Sequence, residues 1–176
     1  MEFVSDPHTL LCHAMGNRSL NADHGAPLRF YTPNRYGMKN PKWIVEIKVT
    51  NEHDAGYWGA RGWCEQAWVK TTSAIDAYQP QSDNVLEIGG IAFAGSRSIQ
   101  CVELRVDDND WSLAELNRDL SSLSWVLWRA AVHAPKGKHQ ITVRAIDGNG
   151  DIQLDRRSDS QVFCGSVGYH SVSLEI

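Results

Sequence analysis

Four basic side chains near the start of this 176-residue chain, His24, Arg29, Lys39 and Lys42, are spaced so that they could capture an anion. Arginine offers a planar fork that matches two phosphate oxygens, whereas lysine is a point charge on a flexible stem. Gly37, lying among them, lets backbone N–H groups approach an anion closely. The set is therefore competent for a phosphorylated ligand. On spacing alone, basic residues scattered between strands read first as solvated side chains.

Other groups carry weaker signals. Asp147-Gly148-Asn149-Gly150-Asp151 imitates the start of a calcium loop, but Ile152 stands where glycine is required and Ser158 where the bidentate glutamate belongs, so a hairpin turn is expected. His133, His139 and His170 have no ligand spacing and read as structural. Cys12, Cys64, Cys101 and Cys164 lie far apart with no CxxC pair, which fits neither a zinc site nor a dense disulfide framework. Buried free thiols are expected. The stretch Tyr57 to Trp63 could wall a substrate funnel, with Arg61 attracting an oxyanion, or could simply pack. Asp155-Arg156-Arg157 reads as a solvated loop, with a contact to a neighbouring subunit as the alternative.

These residues need elements to position them. Asp6-Pro7 reads as a helix cap and first turn, with Leu10, Leu11 and Ala14 continuing a short helix to Gly16-Asn17. A strand is expected over Pro27 to Thr32, then a turn through Pro33 to Gly37. Lys42 to Thr50 alternates, with Trp43, Val45, Ile47 and Val49 on one face, and predicts a half-buried strand. Gln79 to Asn84 is polar and contains Pro80, the pattern of a linker. Beyond it come short strands with turn signals: Val85 to Phe93 broken by Gly89-Gly90, Ile99 to Val106, Ser124 to Val132, His139 to Ile146 and Gln161 to Ile176. Ser112 to Asp119 has helical propensity.

Composition restricts the function. A net charge of −4 argues against a nucleic-acid binder, because a surface that tracks phosphates needs a basic excess. No apolar run approaches the roughly 20 residues of a membrane-spanning helix, and the N-terminus lacks a signal-peptide pattern. The compartment, periplasmic or cytoplasmic, is not legible. Seven tryptophans favour aromatic-rich cores or interfaces.

Asn21-Ala22-Asp23-His24-Gly25-Ala26-Pro27-Leu28-Arg29, followed by Tyr36-Gly37-Met38-Lys39-Asn40-Pro41-Lys42-Trp43, resembles the cofactor-anchoring segment of the sulfite oxidase family of molybdenum enzymes. Ile88 to Gly95, Val102 to Asp107, Trp111, Trp125 to Arg129, Ala145 to Gly150 and Gly168 to Val172 resemble that family's C-terminal immunoglobulin-like dimerisation domain. The resemblance implies a mainly β protein: residues 1–80 as the C-terminal part of an α+β molybdopterin-binding domain, and residues 81–176 as an immunoglobulin-like β-sandwich. It implies that His24 and Arg29 contact the pterin or its phosphate. Tyr36, Gly37, Met38 and Lys39 would line the cofactor, and Lys42 would neutralise the phosphate. The implied cofactor is molybdopterin. The implied partners are a second copy of the chain, a small oxyanion substrate such as sulfite and an electron-acceptor protein. The family's metal-ligating cysteine lies well upstream of the motif, and none of the four cysteines matches it. The expectation is the C-terminal portion of an oxygen-atom-transfer enzyme, with no catalytic or metal-ligating residue of its own and inactive by itself. A non-catalytic β-sandwich that self-associates is the alternative, and a simple phosphate-binding protein the third reading.

Overall fold

The computed structural model describes residues 6–81, 84–155 and 163–176. Ser82, Asp83, Arg156, Arg157, Ser158 and the start of the expected last strand at Gln161 lie outside the described residues. The chain divides into two compact units: Met1–Val69 with Gln161–Gly165, and Lys70–Ser160 with Ser166–Ile176. The division falls at Val69/Lys70, ahead of the polar stretch expected to link domains.

In the first unit, β1 (Leu10–Cys12), β2 (Ala14–Met15), β3 (Arg18–Ser19) and β4 (Arg29–Tyr31) are all short. β1 pairs antiparallel with β4, and β2 with β3 around Gly16 and Asn17, both at positive φ. The helix expected over Leu10 to Ala14 does not form. Asp6 instead closes a single turn, accepting from the His8 backbone N–H at 2.8 Å through Oδ1 and from that of Thr9 at 2.9 Å through its carbonyl. Too few residues remain before Gly16 to repay helix nucleation. A 3-10 helix, Gly37–Lys39, and one helical turn, α1 (Gly56–Gly59), complete the unit. The strand expected over Lys42 to Thr50 is also missing: Val45 to Thr50 carry the strand period but join no ladder.

Cys64 and Cys164 form a disulfide with a Cα–Cα distance of 4.9 Å across a sequence separation of 100. This corrects the free-thiol expectation for that pair, whose proximity no local spacing announces. Cys12 and Cys101 are free, and both are half-buried.

The second unit is a β-sandwich. Its strands are β5 (Thr72–Pro80), β6 (Val85–Phe93), β7 (Ile99–Val106), β8 (Ser112–Leu113), β9 (Glu115–Leu116), β10 (Val126–His133), β11 (Lys138–Asp147) and β12 (His170–Glu175). They form two four-stranded sheets, ordered β5-β6-β10-β9 and β12-β11-β7-β8. The stretch expected as a linker connects β5 to β6, which pair antiparallel from Thr72↔Phe93 to Pro80↔Leu86. The helical propensity of Ser112 to Asp119 yields to β8 and β9, short edge strands on opposite sheets.

Alternation builds the core, because every second residue of a strand meets the same face. Leu86, Ile88 and Ala92 of β6, Val102 and Leu104 of β7, Val126 and Trp128 of β10, and Ile141, Val143 and Ala145 of β11 are buried. Most of them join one cluster fed by both sheets. β6 is not broken at its glycines. It runs through Gly90, where an added Cβ would lie 2.6 Å from Cζ2 of Trp128, so the glycine makes room for the indole.

Polar groups tie the sandwich together. Buried Asp147 accepts from Arg97 Nε at 2.8 Å and Thr71 Oγ1 at 2.9 Å, and from the backbone amides of Asn149 and Asp151 at 3.1 and 3.2 Å. Burial opposes its ionisation, but these donors outweigh it and hold the carboxyl below the usual carboxylate range. With Ile146 bridged to Ile152, the calcium-loop look-alike is a hairpin turn. Gln153 accepts from Ser73 Oγ at 2.7 Å and the Ala145 amide at 3.1 Å, and donates to the Gly168 carbonyl at 2.7 Å. His170 accepts from the Ile75 amide at 3.0 Å, and His139 sits 2.8 Å from Asp107 Oδ2 and 2.7 Å from the Pro135 carbonyl, both structural placements. Among the described residues no helix is long and apolar enough to cross a membrane, and no three His, Cys, Asp or Glu side chains gather as a metal site.

Candidate cofactor-anchoring site

The Asn21 to Gly25 turn is wound by two backbone bonds, Gly25 N–H to the Ala22 carbonyl at 3.1 Å and Ala26 N–H to the Asn21 carbonyl at 3.0 Å. Asn21 Oδ1 lies 2.9 Å from the His24 amide and 2.7 Å from Nδ1 of its ring. An amide oxygen only accepts, so Nδ1 is the donor of this pair and Nε2 is left to face outward partners. The segment Pro41 to Ile44 then folds back beside β4. Phe30 N–H donates to the Pro41 carbonyl at 3.0 Å, Ile44 N–H to Leu28 at 3.0 Å and Trp43 N–H to Gly25 at 3.2 Å.

Gly25 is the pivot. It is buried, with φ at +105°, and an added Cβ would meet Lys42 Cγ at 3.0 Å, Lys42 Cβ at 3.1 Å and Arg29 Cβ at 3.2 Å. The stems of Arg29 and Lys42 therefore converge over this glycine, next in sequence to His24. Lys42 Nζ donates to the Asp23 carbonyl at 2.7 Å, and Trp43 Nε1 to the Ala22 carbonyl at 2.7 Å. Arg29 Nε is buried and has no hydrogen-bond partner. Neither Arg29 nor Lys42 forms a salt bridge with a described carboxylate. A buried N–H without an acceptor costs about 1–3 kcal/mol, which an acceptor supplied from outside the described residues would remove. Cys12 stands opposite Arg29 in the β1–β4 register.

Gly37, Met38 and Lys39 form a second group. Asn40 fixes their turn, accepting from the Thr32 amide at 2.6 Å and donating to the Arg35 and Tyr36 carbonyls at 3.4 and 3.3 Å. With Pro41 they line one side of a cleft whose other side is Ala55 to Gly59, including Tyr57 and Trp58. Nothing stands within 4 Å of the place a Gly37 Cβ would take, so the backbone there is open. Tyr36 is separate: its N–H donates to the Ala67 carbonyl at 2.9 Å, and its Oη lies 2.5 Å from where a Gly165 Cβ would be. It packs under the loop carrying Cys164.

Two arginines are committed elsewhere. Arg35 is buried, with Nη1 donating to the Gln66 carbonyl and, at 3.0 Å, to Gln66 Oε1, and its guanidinium lies over Trp68. Gln66 and Trp68, both remote in sequence, mark this arginine as structural, which sequence spacing does not single out. Arg61 lies 3.6 Å over the Tyr57 ring and donates to the Tyr57 carbonyl at 2.9 Å, while Tyr57, Trp58 and Trp63 pack edge to face and Trp63 meets Phe163 at a tilt. This is the packing alternative rather than a free oxyanion attractor.

Residues 1–58 match the family model described as the oxidoreductase molybdopterin binding domain. Mitochondrial sulfite oxidase of Drosophila melanogaster is 25% identical in an alignment covering 95% of this chain and 36% of that protein. The protein-methionine-sulfoxide reductase catalytic subunit of Campylobacter jejuni is 38% identical over 58 residues, covering 33% of this chain and 20% of that one. The crystal structure of the sulfane dehydrogenase SoxCD from Paracoccus pantotrophus shares the fold, with a TM-score of 0.80 at 18% identity, over 99% of this chain and 50% of that one. The chain thus spans half or less of the length of each of these proteins. The matched cofactor-domain segment, the likeness to sulfite oxidase along 95% of this chain and the shared mainly β fold agree: the chain is similar to the sulfite oxidase family of molybdopterin oxidoreductases.

Proposed function

We propose that this chain supplies the phosphate side of a molybdopterin pocket in an enzyme that transfers an oxygen atom to or from a small oxyanion such as sulfite. The observation that carries the reading is Arg29, whose buried Nε lacks an acceptor while its stem meets Lys42 over Gly25. A phosphate oxygen satisfies that donor. Lys42 can release the exposed Asp23 carbonyl to neutralise the remaining charge. His24, oriented by Asn21, offers Nε2 to a pterin donor, and the open backbone from Gly37 to Lys39 borders the ligand opposite Tyr57 and Trp58. Tyr36 acts from beneath, by holding that turn. The bound cofactor supplies the oxygen-atom exchange itself. The thiolate that ligates the metal comes from polypeptide other than these 176 residues: Cys64 and Cys164 are paired, Cys101 belongs to the sandwich, and Cys12 lies on the phosphate side. By itself the chain is inactive.

The test is the molybdenum and pterin content of the protein purified from its native coding sequence. Arg29→Met lowers both by about tenfold or more, a loss of at least ~1.4 kcal/mol of binding, while Lys48→Met leaves them unchanged. Equal cofactor content in Arg29→Met, or no molybdenum in the wild type, ends this reading.

The second unit is proposed as an immunoglobulin-like dimerisation domain. Phe93 and Trp125 stack at 5.1 Å, and Trp125, just ahead of β10, and Leu127, on the face of β10 opposite the buried Val126 and Trp128, are exposed. The alternative, a self-associating module without catalysis, rests on the same residues. Sedimentation of the chain with Leu127→Glu decides whether this face associates. An unchanged dimer removes it, and a wild-type monomer at high concentration removes dimerisation altogether.

A further inference from the structure

We propose that the Cys64–Cys164 disulfide is a redox site, reduced by a dithiol, and that its reduction loosens both walls of the cleft between Gly37–Lys39 and residues 55–59 and speeds release of what binds there. The cleft's occupant rests on the cofactor reading above, whereas the loosening does not. Both cysteines are half-buried rather than enclosed, which leaves the access that thiol–disulfide exchange requires.

Each wall leads to this one bond. The first runs through Tyr36, which precedes the Gly37–Lys39 turn and whose carbonyl accepts from the Lys39 amide at 2.9 Å. Tyr36 is held from two sides. Its N–H donates to the Ala67 carbonyl at 2.9 Å, and the Ala67 N–H donates to the Cys64 carbonyl at 3.1 Å. Its ring lies against Gly165, the residue after Cys164, where φ is +111° and any Cβ would collide with the ring. The second wall runs through aromatic rings. Trp58 lines the cleft, Trp63 packs on Trp58 at 5.5 Å, and Phe163 packs on Trp63 at 5.5 Å. Trp63 and Phe163 immediately precede Cys64 and Cys164. Each cysteine therefore has one wall before it in sequence and the other after it.

Little replaces the bond once it is cut. Among the described residues one hydrogen bond, Cys64 N–H to the Phe163 carbonyl at 3.2 Å, joins residues 163–165 to the rest of the first unit. Phe163 is 46% exposed, and Ala67 is the sole buried hydrophobic of that unit among those described, so no core holds the segment in place. The step balances as a two-electron exchange. One thiolate of the dithiol attacks a cysteine sulfur, the S–S bond breaks, and the other cysteine leaves as a thiolate that takes a proton. The second sulfur of the dithiol then closes on its first, forming the reagent's own disulfide and releasing the second cysteine as a thiol.

The experiment follows backbone hydrogen exchange in the protein purified from its native coding sequence, first oxidised, then reduced with dithiothreitol, then reoxidised. Reduction should speed exchange about tenfold or more at Lys39 and Asn40 in one wall and at residues 60–63 beside the other, and leave β6, β7 and β11 unchanged. Reoxidation should restore both walls. Molybdenum and pterin should leave the reduced protein about tenfold faster than the oxidised one on desalting. Cys64→Ser/Cys164→Ser should behave as the reduced protein with or without dithiothreitol, which excludes action of the reagent on the metal, and Cys12→Ser/Cys101→Ser should respond as the wild type does. A bond that dithiothreitol leaves intact in the folded protein overturns the proposal. So does a response in one wall alone, acceleration that spreads to the sandwich, equal cofactor release in the two states, or a response that survives in Cys64→Ser/Cys164→Ser. Arg29→Met separates the two readings. Cofactor content indifferent to Arg29→Met beside an intact exchange response removes the cofactor reading alone, and an unresponsive wild type whose content depends on Arg29 removes the redox site alone.

Discussion

Gly25→Ala is the sharpest probe of the geometry. At φ +105° an L-residue lies outside even the small left-handed region, a backbone cost of about 1–2 kcal/mol. The new methyl would stand 3.0 to 3.2 Å from three carbons of Lys42 and Arg29, against about 3.5–4.0 Å for an unstrained carbon pair. Lys42 must withdraw, and withdrawal strains its 2.7 Å bond to the Asp23 carbonyl, worth about 0.5–1.5 kcal/mol. Together these give about 3 kcal/mol, or roughly 150-fold in an opening equilibrium. The assay is native-state hydrogen exchange at the amides of Phe30, Trp43 and Ile44, whose bonds to Pro41, Gly25 and Leu28 span the site. Gly16→Ala is the control: its φ is +56° and nothing lies within 4 Å, so it carries only the backbone cost of about 1 kcal/mol, roughly fivefold and confined to the β2–β3 turn. If Gly25→Ala accelerates exchange no more than Gly16→Ala does, Arg29 and Lys42 do not converge on Gly25 and the phosphate cradle is wrong.

The other predictions concern the scaffold. Gly90→Ala drives a methyl into the Ala74 carbonyl and the Trp128 ring and should cost at least about 3 kcal/mol in urea unfolding, whereas Gly89→Ala, 3.4 Å from the Trp128 carbonyl, stays within about 1 kcal/mol. Because the folded pKa of Asp147 is depressed, its stabilisation is complete above the unfolded value near ~3.9 and is lost as pH falls through the folded value. Melting temperature should therefore fall below about pH 4, and Asp147→Asn should be less stable at pH 7 with a shallower acid limb. Parallel wild-type and variant curves from pH 5 to pH 3 would contradict this. Opening the Cys64–Cys164 loop with Cys164→Ser should cost about 2–4 kcal/mol, and thiol titration of the unfolded wild type without reductant should find two free thiols, Cys12 and Cys101, rather than four.

The sandwich was legible because its information is local. Val102, Leu104 and Val106 alternate, Ile141 and Val143 alternate, and turns separate the runs, so a period of two and a count of strands suffice. What failed depended on partners far away in sequence. Leu10 and Leu11 look helical until β4 offers a ladder, and Gly89-Gly90 looks like a break until Trp128 lies over the second glycine. Cys64 cannot announce Cys164 across 100 residues. At the site, the motif drew His24, Arg29 and Lys42 to one place, but it could not separate Arg29, with its unpaired Nε, from Arg35, consumed by Gln66 and Trp68. The Lys42 to Thr50 pattern is the instructive case. Its periodicity is real, yet periodicity reports which face wants burial and not whether the burying partner is present.

That distinction links the two halves of the functional reading. A unit with Ala67 as its sole described buried hydrophobic draws its order from turns, one disulfide and polar clamps, so anything that binds only the ordered form adds directly to its stability. A phosphate satisfying Arg29 orders the Gly25 turn, and that turn holds Trp43 and Ile44, the first residues of the exposed stripe, through its carbonyls and that of Leu28. On the proposed reading, ligand binding at the cradle and order in the Trp43–Ile44 segment share the same few hydrogen bonds, so each strengthens the other by an equal free energy.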